Sequence, residues 1–124
     1  MAILTTGFNI HQSGLTPDSV DISFSGLQLT VEAPAISQGG FTLAASGNRD
    51  IVTSGASKSV YLYVINKSTS GGGIVTLRDT ADAFAKRDPG DCAFFPVDVS
   101  TTINCLEVGG AHSADIEYCF FTRT

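Results

Sequence analysis

Tryptophan is absent from this 124-residue chain, methionine occurs once, and charged residues make up only 15% of it. Average soluble proteins carry roughly 25% charged residues, and long surface helices depend on them. Serine, threonine and glycine take their place here. The composition therefore disfavours long surface helices and favours β-strands with Ser or Thr on the solvated face, joined by glycine-based turns.

Basic residues are also scarce, with seven Lys and Arg against twelve Asp and Glu and a net charge of −5. Nucleic acids and anionic membrane surfaces are bound by basic surfaces, so we expect neither as a partner. No apolar run approaches the roughly 18 residues that a membrane helix needs. The first residues, MAILTTGFNIHQSG, contain no basic region and no long apolar core, so we expect a chain that is not secreted.

Cysteine and histidine are too few and too widely spaced for a familiar metal or catalytic site. The three cysteines, Cys92, Cys105 and Cys119, fall on successive predicted strands, whereas zinc ligands usually come in close pairs. We interpret them as reduced thiols that act as small apolar groups. His11 and His112 are the only histidines, and the G-x-S-x-G nucleophile motif is absent. We therefore expect no catalytic residues, no metal, no cofactor and no enzymatic activity.

Short segments with strand-like patterns recur about every ten residues, with turn signals between them. These segments are 20–24, 27–33, 41–45, 51–52, 60–65, 74–77, 81–86, 92–97, 103–108 and 114–121. Such spacing is typical of antiparallel sandwiches and barrels. We predict an all-β fold, an antiparallel β-sandwich of the jelly-roll kind, in a single domain. The predicted organisation is an N-terminal arm at 1–19 and a β-sandwich domain at 20–124.

Irregularities are predicted near the N-terminal end of this pattern. Apolar residues occupy even positions in 20–24 and odd positions in 27–33. A strand changes parity only through an insertion or a reversal, so we predict a β-bulge at Gly26, with a tight hairpin there as the alternative. Pro34 is expected to end this run, and Gly39-Gly40 is expected to form a turn.

Three segments are apolar on both faces: VYLYVI (60–65), AFFPV (93–97) and YCFF (118–121). A lone two-layer sandwich buries one face of each strand and solvates the other. The second face must then meet a loop, the N-terminal arm or another subunit. We predict self-association into a homo-oligomer, for which a trimeric or pentameric ring is one form. The predicted interface residues are Tyr61, Tyr63, Ile65, Phe94, Phe95, Cys119 and Phe121.

The loops offer two alternative interpretations. Five aspartates surround one predicted hairpin: Asp79, Asp82, Asp88, Asp91 and Asp98. Loop carboxylates can hold calcium, but the EF-hand spacing is absent, so we favour solvated turn residues. A carbohydrate or small molecule could instead be bound by the loops at 66–73 and 109–113, which would make the chain a binding module.

Four stretches of the C-terminal half carry a family pattern. They are VYLYVINKS (60–68), a glycine-rich turn into IVTLRD (74–79), DPGDCAFFPVD (88–98) and ADIEYCFF (114–121). In these stretches the chain resembles the small β-sandwich virion proteins of tailed bacteriophages, especially marine ones.

The resemblance implies a non-enzymatic part of a phage particle, such as a head decoration, neck or tail accessory protein. It implies synthesis in the host cytoplasm, a location in the virion, and other virion proteins as partners. It offers no catalytic residues.

Overall fold

The computed structural model describes residues 2–12, 20–52, 58–69, 71–80 and 82–124. Every regular element in these ranges is a β-strand. The described residues contain no helix that is long and apolar enough to cross a membrane. The strands are β1 (Ala2–Gln12), β2 (Val20–Leu43), β3 (Asn48–Val52), β4 (Val60–Asn66), β5 (Ile74–Asp79), β6 (Asp82–Arg87), β7 (Cys92–Val97), β8 (Ile103–Val108) and β9 (Ala114–Arg123).

The chain forms two compact units, Met1–Pro34 with Thr124, and Ala35–Arg123. The boundary therefore follows Pro34, whereas the sequence predicted an arm at 1–19 and a domain at 20–124. The difference arises because the first part of β2 pairs with β1, from Val20 onward, as an antiparallel hairpin.

The hairpin of the first unit contains one extra residue. The register shifts between Thr6 and Gly7, which lie opposite Leu27 and Ser25. Gly26 is left without an opposite residue, and its φ of +85° suits a residue that has no side chain. The β-bulge predicted at Gly26 is confirmed, and it accounts for the change of parity in the sequence.

Two predicted breaks in β2 are wrong. Pro34 was expected to end the strand, but β2 continues through it to Leu43. The ladder between β1 and β2 ends at the pair Ala2–Val31, so the missing N–H of Pro34 removes no hydrogen bond from that ladder. Gly39-Gly40, expected to form a turn, lies within the strand. A Cβ atom at Gly39 would be 2.7 Å from the hydroxyl oxygen of Tyr118, so this glycine makes room for an aromatic side chain.

The second unit is a jelly roll made of two antiparallel sheets. Their strand orders within this unit are β2-β9-β4-β7 and β3-β8-β5-β6. Counted in strands along the chain from the β5–β6 turn, each strand before the turn pairs with the strand equally far after it. These pairs are β5–β6, β4–β7, β3–β8 and β2–β9. This is the order obtained by rolling up one long antiparallel hairpin, so the predicted jelly-roll sandwich is confirmed.

The core lies between the two sheets and follows the two-residue alternation of the strands. On β4, Val60, Leu62 and Val64 are buried, and the residues between them are only half-buried. On β5 of the other sheet, Val75 and Leu77 are buried in the same cluster. Burial of a Val or Leu side chain contributes about 1.5–3 kcal/mol, so a one-residue slip of either strand is strongly disfavoured.

A buried amide closes one end of this core. Asn66 is 1% exposed, and its Nδ2 donates to the carbonyl oxygens of Gly73 at 2.9 Å and Arg87 at 3.2 Å. Its Oδ1 accepts a hydrogen bond from the Ser68 amide at 3.1 Å. One side chain therefore ties the end of β4 to the following loop and to the end of β6.

We expect Asn66→Ala to destabilise the second unit by about 2–4 kcal/mol, because buried backbone groups lose their partners. The measurement is the free energy of unfolding in urea. Asn48→Ala, at an exposed position of β3, is the matched control and should change stability by less than about 0.5 kcal/mol. Equal stability of the two variants would contradict the assigned role of Asn66.

Candidate functional site

The three strands predicted to be apolar on both faces are neighbours in one sheet. β4 lies in the middle, with β9 on one side and β7 on the other. Their inward residues belong to the core, so their outward residues share the opposite face of the sheet. Three separate sequence signals therefore produce a single surface.

This outer surface is built from three cross-strand rows. In the order β7, β4, β9, the rows are Pro96–Tyr61–Phe121, Phe94–Tyr63–Cys119 and Cys92–Ile65–Glu117. All but Glu117 are apolar or carry a thiol, and we call these eight residues the outer patch. The array measures about 10 Å across the strands and about 14 Å along them.

Six of the seven predicted interface residues lie in the outer patch. Phe95 is the exception: it pairs with the fully buried Leu62 and packs against the core. Its ring also meets that of Phe84 edge-on, with centroids 5.4 Å apart. The assignment of Phe95 to the interface is corrected here, because adjacent residues of a strand face opposite ways. The structure adds Cys92 and Pro96 to the residues of this surface. Their two-residue spacing from Phe94 in the sequence could have predicted that all three lie on the same face.

Aromatic stacking organises one side of the outer patch. The rings of Tyr61 and Phe94 are stacked, with centroids 6.0 Å apart and planes inclined by 19°. The guanidinium of Arg123 lies 5.1 Å from the centre of the Tyr61 ring and 3.6 Å from an Asp98 carboxylate oxygen. The rings are therefore held in place at the surface, with a charged pair at their margin.

Ionic and polar pairs border the opposite side of the outer patch. Lys67 Nζ lies 2.9 Å from Glu117 Oε2, and this hydrogen bond raises the pKa of Lys67. Thr42 Oγ1 donates to Asp115 Oδ1 at 2.6 Å. The pKa of Tyr63 is raised mainly by burial, and to a smaller extent by the electrostatic influence of the nearby Cys92 and Glu117. An apolar centre with a polar margin is the usual anatomy of a protein interface.

The outer face of the other sheet has a different composition. Arg78 donates to the Asn104 side-chain oxygen at 2.6 Å, and the Asn104 amide donates to Asp50 at 2.8 Å. These residues lie side by side on β5, β8 and β3, and Lys86 shares the face across from Thr76. The same face also carries three aliphatic side chains, those of Ile74, Leu106 and Val108. Among the described residues it is therefore a mixture of polar and aliphatic groups without an aromatic ring, and the two outer faces of the sandwich are chemically unequal.

The three thiols lie in different environments. Cys92 is exposed and Cys119 half-buried, both in the outer patch, whereas Cys105 is buried in the core. Burial raises the pKa of Cys105 to about 12 and also raises the pKa of Cys119. The register separates the Cα atoms of Cys92 and Cys119 by about 12 Å, too far for a disulfide within one chain.

The loops at 66–73 and 109–113, predicted as an alternative ligand site, lie together and are bonded to each other. The Gly73 amide donates to the Ser113 carbonyl at 2.8 Å. Beside them, the buried Glu107 carboxylate accepts from the backbone amides of Ser46 at 2.6 Å and Gly110 at 3.3 Å. Glu107 escaped the sequence analysis, although it shares its parity with the core residue Cys105. Its carboxylate joins the loop after β2 to the loop after β8, which is a structural role.

The aspartate series is only partly brought together. Asp79 and Asp82 are opposite each other at the β5–β6 turn and line a depression of about 420 Å³ with Asp98. Asp88 and Asp91 belong to a separate turn. In the described part of the chain, no group of three or more His, Cys, Asp or Glu side chains could hold a metal ion.

Among the described side chains, His112 belongs to no such group. His112 is exposed in the loop after β8. His11 lies on β1, and its side chain is outside the part that the structure describes.

Comparison with known proteins supports the fold alone. No protein-family model matches the chain, and no curated protein matches it. The cupin domain of Schizosaccharomyces pombe Cnp3 is similar over 94% of this chain and 83% of its own, with a TM-score of 0.51 and 12% sequence identity. A chain of Bacillus endospore appendages, described as disulfide-linked pili, matches 73% of this chain and 90% of its own at 20% identity, with a TM-score of 0.42.

The cupin likeness agrees with the jelly-roll architecture, and the pilus likeness is too loose to carry an argument. Neither bears on phage virion proteins, so that expectation stays a prediction.

The thiol environments predict an order of alkylation by iodoacetamide in dilute folded protein, read by peptide mass spectrometry. Cys92 should react first, Cys119 more slowly, and Cys105 only after unfolding. The thiolate is the reactive form, and the pKa of Cys119 is raised. The alkylation rate of Cys119 should therefore still increase with pH at values where the alkylation rate of free glutathione has levelled off. Native-state labelling of Cys105 at the rate of Cys92 would refute its inward placement.

Proposed function

We propose that this protein is a non-enzymatic structural component that assembles as a homo-oligomer within a bacteriophage virion. The outer patch carries the proposal. It places aromatic and aliphatic side chains from three adjacent strands on the solvent side of a sheet whose other side already forms the core. A second copy of the chain would remove these groups from water.

The dimensions of the outer patch suit the centre of a larger interface. A standard interface buries about 800 Å² on each partner, which exceeds the area of the three rows. The surrounding charged residues, Lys67, Glu117, Asp98 and Arg123, would form the rim. Rim charges contribute mainly to specificity and association rate, whereas the buried aromatic groups contribute most of the affinity.

The edge strands favour association through the face of the sheet. β7 pairs only with β4 among the described strands, and it carries Pro96, which has no N–H to offer an incoming strand. At the edge of the other sheet, β6 carries a register shift opposite Leu77 and Arg78 and the charged residues Lys86 and Arg87. Proline, bulges and charges at edges all oppose strand-to-strand pairing.

The virion assignment rests on the sequence resemblance of the four C-terminal stretches. The net charge of −5 is compatible with an outer position that avoids DNA. Other virion proteins are the partners that this assignment implies, and the oligomer would take its stoichiometry from the particle. The low charge and the absence of a recognisable catalytic motif in the sequence are compatible with a structural role.

Light scattering after size exclusion tests self-association, with a monomer mass of 12.9 kDa as the reference. We expect a multiple of this mass, and Phe94→Ser should weaken association by about 2 kcal/mol, roughly thirtyfold, because an interface aromatic is lost. Phe84→Ser is the matched control, since Phe84 is 49% exposed and Phe94 41% exposed, and each contacts one other aromatic ring. A wild-type monomer at the highest soluble concentration would overturn the proposal.

The neighbouring Phe95→Ser variant separates the two faces of β7. It should lower the free energy of unfolding by about 2 kcal/mol, because the ring packs on the core. Phe94→Ser should leave the unfolding free energy of the dissociated chain nearly unchanged. The opposite pattern would show that the outer and inner faces are wrongly assigned.

The position of the gene tests the virion part separately. We expect it to lie among genes for capsid or tail proteins, and mass spectrometry of purified particles to detect the chain in fixed proportion to the major capsid protein. A gene surrounded by metabolic genes, with no viral neighbours, would contradict the virion role and leave self-association to be judged by its own measurement.

A further inference from the structure

A polar groove lies on the outer face beside the outer patch, above β2 and β9. It comprises two depressions of about 390 and 410 Å³ that share Gly40 and Glu117. Volumes of this size fall within the range of small-ligand sites. The groove exists because Gly40 presents no side chain outward and Cys119 presents a small one.

The lining of the groove combines one aromatic wall with groups that both donate and accept hydrogen bonds. Tyr63 supplies the ring, and Gln38 supplies an amide with both donor and acceptor atoms. The Glu117 and Asp115 carboxylates accept, and the Lys67 ammonium donates. A ligand with an apolar ring face and several hydroxyl groups matches this combination, since each hydroxyl can donate and accept at once.

The charges in the groove select against anionic ligands. The two carboxylates, of Asp115 and Glu117, outnumber the single ammonium of Lys67 and would repel an anion. The ion pair between Lys67 and Glu117 holds donor and acceptor side by side at 2.9 Å. Paired donors and acceptors of this kind suit the neighbouring hydroxyls of a sugar ring.

The geometry points to a binding site for an uncharged saccharide in this groove. The site lies on the face of the sheet, and of the two loops that the sequence suggested, 66–73 and 109–113, it meets only the first, at Lys67. It shares Tyr63 and Cys119 with the outer patch and Lys67 and Glu117 with the proposed rim, so a sugar and a second copy of the chain would compete for this part of the face. Sugar binding is therefore measured at concentrations at which the chain is dissociated. A sugar ring would pack against Tyr63 and bond to Gln38, Glu117 and Lys67.

An array of neutral and acidic oligosaccharides, probed with the full chain, is the first experiment. We expect binding to neutral glycans, followed by calorimetric titration with the best neutral glycan found. Gly40→Val fills the groove without removing a polar group, and its Cβ would meet only the Ile116 carbonyl oxygen at 3.3 Å. This variant and Tyr63→Ala should each weaken binding at least tenfold.

Gln38→Ala changes an exposed side chain of the groove and tests the site without disturbing the core. It should weaken binding several-fold, while Thr76→Ala on the other sheet should have no effect. Absence of any neutral-glycan binding, a preference for acidic glycans, or wild-type affinity in Gly40→Val and Gln38→Ala would each overturn the proposal.

Thiol labelling distinguishes this site from the proposed oligomer interface. A bound glycan should slow the alkylation of Cys119, which lines the groove, and leave Cys92 unaffected. Self-association should slow both thiols as protein concentration rises. Glycan-dependent protection of both thiols would indicate that sugar promotes assembly and not that it occupies the groove, and would overturn the assignment of the site.

Discussion

The alternation of side chains along paired strands is the constraint on which this structure depends. Leu62 is fully buried, and its sequence neighbours Tyr61 and Tyr63 face the other side of the sheet. The antiparallel register then determines which residues of β7 and β9 lie on each side. Once Leu62 faces the core, Phe94 and Cys119 must face outward in the same row as Tyr63. The hydrophobic effect therefore fixes both the core and the composition of the surface opposite it.

The outer face that results has two chemically different parts. The apolar part lies over β7 and β4, where Tyr61 and Phe94 stack, and the polar groove lies toward β2, where Gly40 leaves the backbone uncovered. The apolar part suits a protein surface, because it gains most from exclusion of water. The polar part suits a hydrated ligand. Tyr63 stands between them and belongs to both.

The likeness to a cupin domain concerns architecture, and architecture does not set function. Jelly rolls serve as enzymes, lectins and capsid proteins, so the function must be argued from particular side chains. In the described part of this sandwich, the inward polar residues Asn66 and Glu107 hold loops together through backbone bonds. Both proposals made for this chain therefore rest on side chains of the outer face of one sheet.

The sequence by itself determined the strand composition, the change of parity at Gly26 and the presence of three strands with two apolar faces, because these are properties of neighbouring residues. The β1–β2 register decided that the change of parity is a bulge and not a hairpin. The sequence did not determine that Gly39 faces Tyr118, that Phe95 joins the core, or that β9, β4 and β7 lie side by side. Those facts depend on the order in which a jelly roll pairs distant strands. Local patterns carry no information on that order, since it is chosen by how the whole chain buries its apolar surface.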